Sequence, residues 1–215
     1  MTKGSLTVNG VGKIAVKPDQ ITLALNLRTE AKEYEAAVLQ ANEKLNSLTA
    51  AIVSAGFAAQ DLKTSSLAID AYYEYVRTDD GRQMKEFQGY IYTQLCQLKF
   101  PLEMTRLAET IAALSQSKAA PELELSFTIA DPAKVSAELL RLATADARQK
   151  AEVIAAASAV TLGEIKNITY GTGSHDFPTP RNRVTLRSCS AAPLVDAVPE
   201  ELLLEDTITI TWKLK

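Results

Sequence analysis

Ile21, Leu23, Leu25 and Leu27 alternate with Thr22, Ala24, Asn26 and Arg28, and this two-residue period is that of a strand with one face on a core. Gly10-Val-Gly-Lys-Ile-Ala-Val-Lys-Pro-Asp19 leads into it. Residues 5 to 16 read as an earlier strand, and Pro18, which has no amide hydrogen to give a ladder, belongs at a break or edge between the two. From Glu33 the period changes. Ala37, Ala41, Leu45, Leu48 and Ile52 step by four or three, the spacing of an apolar stripe on a helix that ends near Gly56, and Glu35, Glu43 and Lys44 occupy its other side.

The chain keeps switching period. Thr64 to Val76 and Phe87 to Phe100 are extended in character, and Thr78-Asp-Asp-Gly81 between them is a turn signal, so the two predict a long hairpin. Met104, Leu107, Ile111 and Leu114 give a short helix that stops before Pro121, and Leu123, Leu125, Phe127 and Ile129 alternate as a strand. Asp131-Pro132 then opens a third helix, running to about Ser158, because aspartate caps free amides and proline suits a first turn. Leu140, Ala143, Ala147, Ala151, Ile154 and Ala155 form its stripe. Glu164 to Tyr170 is extended, and Ile208, Ile210, Trp212 and Leu214 alternate as a closing strand.

This order predicts one α+β domain spanning 1–215, an antiparallel or mixed sheet with helices packed on one face. The strand, helix, strand order of 20 to 70 recurs in 122 to 170, which suggests a duplicated βαβ-type unit. Residues 171 to 204 have no period and hold Gly171, Gly173, Pro178, Pro180, Pro193 and Pro199, so they read as a long irregular connection.

Charged residues are 23% of the chain and the net charge is -3, too balanced to draw in nucleic acid or acidic lipid. No stretch approaches the roughly 20 apolar residues of a membrane span, and Met-Thr-Lys-Gly-Ser-Leu-Thr-Val carries no apolar leader core. The sequence as it stands reads as cytoplasmic, or as periplasmic or envelope-associated if a leader has been removed.

Residues that carry chemistry are few. Cys96, in a strand, and Cys189, in a loop, belong to no metal-ligand spacing; a single bridge is geometrically open, but unpaired thiols are the better reading. His175 is the one histidine, and neighbours such as Ser174 and Asp176 cannot form a relay with it from adjacent loop positions. Gly10-Val-Gly12 lacks the third glycine and following helix of a dinucleotide fingerprint, and Gly-Thr-Gly-Ser-His at 171–175 lacks the Gly-Lys-Ser/Thr of a phosphate loop. Asp146, Glu152, Glu200, Glu201, Glu205 and Asp206 read as solvated carboxylates. Catalytic, cofactor and metal residues are therefore expected to be none.

Two surface features remain. Arg181, Arg183 and Arg187 form an anion-binding edge if their loop is ordered, against the plainer reading of solubility or pairing with the acidic run at 200–206. Tyr72, Tyr73, Tyr75, Tyr90 and Tyr92 cluster on the hairpin; core or rim packing is the default for such a group, and a subunit interface is the functional reading.

Read in order, these segments resemble the SIMPL domain family, also called DUF541. The resemblance rests on Val8-Asn-Gly-Val-Gly-Lys-Ile-Ala-Val-Lys-Pro-Asp19, Leu62 to Tyr75, Gly89-Tyr90, Phe127-Thr-Ile-Ala-Asp-Pro132, Ala145-Asp-Ala-Arg-Gln-Lys-Ala-Glu152 and Leu162-Gly163. Where the family usually has glycine and proline this chain has Ala159 and Ala71, which puts a left-handed helix cap at 159 in question. The resemblance implies an α+β fold, ring- or channel-like oligomers in some bacterial members, association with the cell envelope and oxidative-stress tolerance. It brings no catalytic residues. The first functional reading is a non-enzymatic, self-assembling protein; the alternative is a binding module for a small ligand or partner protein, using an oligomer groove or the tyrosine-rich hairpin.

Overall fold

The computed structural model describes residues 4–77, 83–171, 184–186 and 199–215, the triplet 184–186 by its backbone. Along the chain run β1 (Ser5–Val16), β2 (Gln20–Ala31), α1 (Tyr34–Ser54), β3 (Lys63–Arg77), β4 (Gln83–Pro101), α2 (Met104–Gln116), β5 (Glu122–Thr128), α3 (Pro132–Ala157), β6 (Leu162–Tyr170), β7 (Val184–Leu186) and β8 (Leu202–Leu214). The fold is α+β, and every described strand pair is antiparallel. Contacts divide the chain into two compact units, one of residues 1–18, 129–181 and 199–215, the other of 19–128 and 182–198.

The second unit holds a five-stranded sheet in the order β3-β4-β2-β5-β7. β2 lies between β4 and β5, with Ile21 opposite both Phe100 and Phe127. Its alternation therefore becomes one buried row of Ile21, Leu23, Leu25 and Leu27, which joins Cys96, Leu98 and Phe100 of β4 and Leu123, Leu125 and Phe127 of β5. Leu48 and Ile52 of α1 and Leu107, Ile111 and Leu114 of α2 close the same core. Each such side chain contributes about 1.5–3 kcal/mol by leaving water. Pro18 sits at the break before β2, where the Asp19 amide donates to Thr128 O at 3.1 Å and Asp19 O accepts from the Leu102 amide at 2.9 Å.

The first unit is a three-stranded sheet, β1-β8-β6, with α3 packed against it. Val8, Ile208, Ile210 and Trp212 face Ala143, Ala147 and Ala151 of the helix. The contact is close because β1 presents glycines there: a Cβ at Gly10 would stand 2.0 Å from Ala143 O, and one at Gly12 2.1 Å from Leu139 O. The alanine stripe of α3 and the glycines of β1 are thus two sides of one backbone-to-backbone approach.

Both long helices end in the same hydrogen-bond pattern. At α1 the Phe57 amide reaches Ile52 O (3.3 Å) and the Gly56 amide reaches Val53 O (3.0 Å), with Gly56 left-handed at φ 84°. At α3 the Val160 amide reaches Ala155 O (3.0 Å) and the Ala159 amide reaches Ala156 O (3.2 Å), with Ala159 at φ 53°. The left-handed cap questioned at 159 is present, made by alanine. At the other end of α3 the expected cap is in place, Asp131 Oδ1 accepting from the Lys134 amide at 3.1 Å.

Several expectations change in detail. Strand-helix-strand order occurs at both predicted places, but β2 and β3 share one sheet, flanking β4, whereas β5 and β6 lie in different sheets. Ile154, assigned to the α3 stripe, is 43% exposed, and Leu139 is buried instead. The stretch 171–204 is not wholly irregular: it contains β7 and the first residues of β8.

Candidate functional site

β3 and β4 form the expected hairpin, and β3 is the outermost strand of its sheet. Of its 15 residues only Ile69 and Tyr72 are even half-buried. Strand alternation sorts its tyrosines. Ile69, Ala71, Tyr73 and Tyr75 share one face and stand opposite Tyr92, Tyr90, Phe87 and Lys85 of β4. Tyr72 points to the other face, where its hydroxyl donates to Glu74 Oε1 at 2.6 Å; that hydrogen bond first, then desolvation and the carboxylate's charge, hold the phenol above its ordinary pKa.

Along the first face burial falls toward the turn. Tyr92 is buried beside Ala37 and Ala41 of α1, donates to Gln94 Oε1 at 3.3 Å, and has its pKa raised chiefly by burial. Tyr90 is half-buried and meets the Tyr34 ring of α1 edge-on at 5.5 Å. Phe87 then meets Tyr90 at 5.4 Å and Tyr73 at 5.5 Å, and Lys85 Nζ lies 4.3 Å from the Tyr73 ring centre. Tyr34, Tyr73, Tyr75 and Phe87 all remain 40% or more exposed, so this is a continuous aromatic surface open to solvent.

A bulge makes that surface. Simple alternation puts Phe87 and Tyr90, three apart, on opposite faces. The pairing steps from Tyr72–Gly89 to Tyr73–Phe87, which leaves Gln88 as an extra residue and reverses the parity. Gly89 carries the bend at φ 140°, and a Cβ there would stand 2.3 Å from Ala31 O, so no other residue fits. Sequence reasoning found the tyrosines but not Tyr34, Phe87 or Lys85; the Gln88-Gly89 pair inside an alternating strand was the available signal.

Other predicted groups are dispersed. Cys96 is a free, fully buried thiol, its pKa raised by burial. Arg181, Arg183, Arg187, His175 and Cys189 lie outside the described residues. Asp206 is a correction: within the acidic run it is buried, because β8 places it on the same face as Leu204 and Ile208, and it accepts from the Tyr170 hydroxyl at 2.9 Å. Burial first, and that hydrogen bond second, raise the Tyr170 pKa. Asp146 is also more than solvated surface, since its carboxylate accepts from the Val11 amide at 2.7 Å and from Lys150 at 2.6 Å. Lys150 first and the Val11 amide second hold its pKa below the usual carboxylate range.

A shallow cavity of about 280 Å³ lies in the first unit between Lys13, Ile14, Ala15, Leu203, Leu204 and Glu205. Its two charged walls pair with each other at 2.8 Å, and the rest of its described lining is aliphatic. Among the described residues no group of three histidine, cysteine or acidic side chains is placed to hold a metal, and no helix is long and apolar enough to cross a membrane.

The model of the SIMPL family, described as a protein of unknown function (DUF541), matches residues 6–212. This chain belongs to the SIMPL family. The match runs through both units and contains the hairpin, its bulge and the glycine approach of β1 to α3. Two curated relatives, the 26 kDa periplasmic immunogenic proteins of Brucella melitensis biotype 1 and of Brucella abortus, are each 27% identical over 198 residues, covering 90% of this chain and 77% of theirs.

Proposed function

We propose that this SIMPL-family protein is a self-assembling, non-enzymatic protein whose β3–β4 hairpin joins one copy to the next. The observation that carries the reading is the state of β3: a 15-residue outermost strand, almost wholly exposed, with an open aromatic face beside it. A long free edge is a template for another strand, and soluble proteins normally shorten, charge or cover it. Here its outer half carries Tyr73 and Tyr75 next to Phe87, the residue types that anchor protein interfaces. Burying them between copies stabilises the contact and removes the hazard together.

Light scattering at micromolar concentration tests this directly: an assembly is expected, and a strict monomer overturns the reading. Replacing Tyr73 and Phe87 together by serine is expected to raise the concentration for half-assembly by about tenfold or more, the loss typical of truncating interface anchors. The names of the Brucella proteins support a periplasmic site of action. Fractionation of cells expressing the complete gene product is expected to recover the protein with periplasmic markers; recovery with cytoplasmic ones overturns that placement.

A further inference from the structure

β1 is the end strand of its sheet: one edge pairs with β8 along all 12 residues, and on the other no strand pairs with it among the described residues. On that second edge the Val11 amide donates to Asp146 Oδ2 at 2.7 Å, and the Asn9 carbonyl accepts from Lys150 Nζ at 3.3 Å. Lys150 also donates to Asp146 Oδ2 at 2.6 Å, which closes the circuit. A carbonyl at one residue and an amide two residues on, along one edge, are the two groups that a single residue of a parallel neighbour engages. The spacings agree: two strand residues span about 6.7 Å, and four helix residues rise about 6 Å.

We propose that Asp146 and Lys150 act as a side-chain surrogate for a missing strand, closing the free edge of β1 against strand addition by a second copy of the chain. Gly10 and Gly12 make this reach possible. Any Cβ at either position collides with the α3 backbone, at 2.0 Å from Ala143 O or 2.1 Å from Leu139 O, and would lift the carboxylate and ammonium off the edge. Asn9-Gly-Val-Gly12 and Asp146 to Lys150 are therefore one device made of two segments, the bonded Val11 and Asp146 lying 135 positions apart. The polarity is fixed as well: only the carboxylate can accept from the amide, and only the ammonium can donate to the carbonyl.

The test is amide hydrogen exchange and sizing of D146A/K150A, with the charge-swapped D146K/K150D and with R148A/E152A, which removes an exposed ion pair of the same helix spacing. In D146A/K150A the Val11 amide is expected to exchange at least about tenfold faster relative to that of Gly12, which by alternation faces β8. The same variant is expected to gain a concentration-dependent increase in size over the wild type. D146K/K150D should do both, because it keeps a helical ion pair but presents the wrong groups to the edge; R148A/E152A should do neither. The proposal is overturned by equal acceleration at Val11 and Gly12, which is a global loss of stability, by an unchanged Val11 rate, by a wild-type size in both edge variants, or by D146K/K150D behaving as wild type. The outcome does not depend on whether the hairpin assembles, since each variant is compared with the wild type under the same conditions.

Discussion

Gly56 and Ala159 occupy the same place in the same cap, one at φ 84° and the other at φ 53°. A left-handed conformation costs an L-residue with a Cβ about 1–2 kcal/mol, so Ala159 holds its cap against a penalty that Gly56 avoids. Ala159→Gly is expected to raise stability by about 0.5–1 kcal/mol once the extra freedom of the unfolded glycine is subtracted, read as a higher urea midpoint with unchanged slope. Gly56→Ala should lose about as much, although a Cβ there has nothing within 4 Å. Gly10→Ala is a different case, because space and not conformation is lacking, and destabilisation by about 3 kcal/mol or more is expected from overpacking. The resemblance located position 159 correctly; what no pattern of residue types could say is that the backbone would adopt the conformation without its glycine.

Among elements, the edge of β1 carries a pH dependence. Asp146 has its pKa depressed in the folded state by Lys150 and the Val11 amide. A depressed carboxylate contributes stability above its unfolded pKa of about 3.9, and that contribution is lost as the pH falls through the lower folded value. The stability difference between the wild type and D146N is therefore expected to be largest near about pH 6 and to shrink toward about pH 3, measured by urea unfolding at both. Glu138 and Glu164 are shifted the same way by Arg141 and Lys213, so only the comparison with the variant isolates Asp146. Element types were legible because each apolar period was long: four alternating residues in β2, five stepped residues in α1. Parity was less legible. Asp206 reads as solvated inside a run of acids, yet extending the period of Ile208, Ile210 and Trp212 four residues upstream puts Asp206 and Leu204 on the buried face. The aromatic face was half legible for a related reason, since one extra residue at Gln88 reverses every assignment beyond it.

For the molecule as a whole, the sheet pairing was the part that residue patterns left open, because alternation says that a strand has an inside and not which strand lies beside it. Trp212, the one tryptophan, is buried in the three-stranded unit and reports on that unit's core. Ile210→Ala is expected to lower the fluorescence-detected stability by about 2–5 kcal/mol, the usual loss for emptying a buried aliphatic site. β8 is the central strand there, so deleting residues 202–215 removes the partner of both β1 and β6 and should abolish amide exchange protection in both strands. The pairing of β1 with β8 also sets a timetable. Thr7 and Thr211 touch across the ladder yet lie 204 positions apart, and at 5–20 residues per second a ribosome needs roughly 10 to 40 seconds to travel between them. For that interval the residues of β1 exist without the strand they pair with, so the three-stranded sheet cannot close before the last residues of the chain are made.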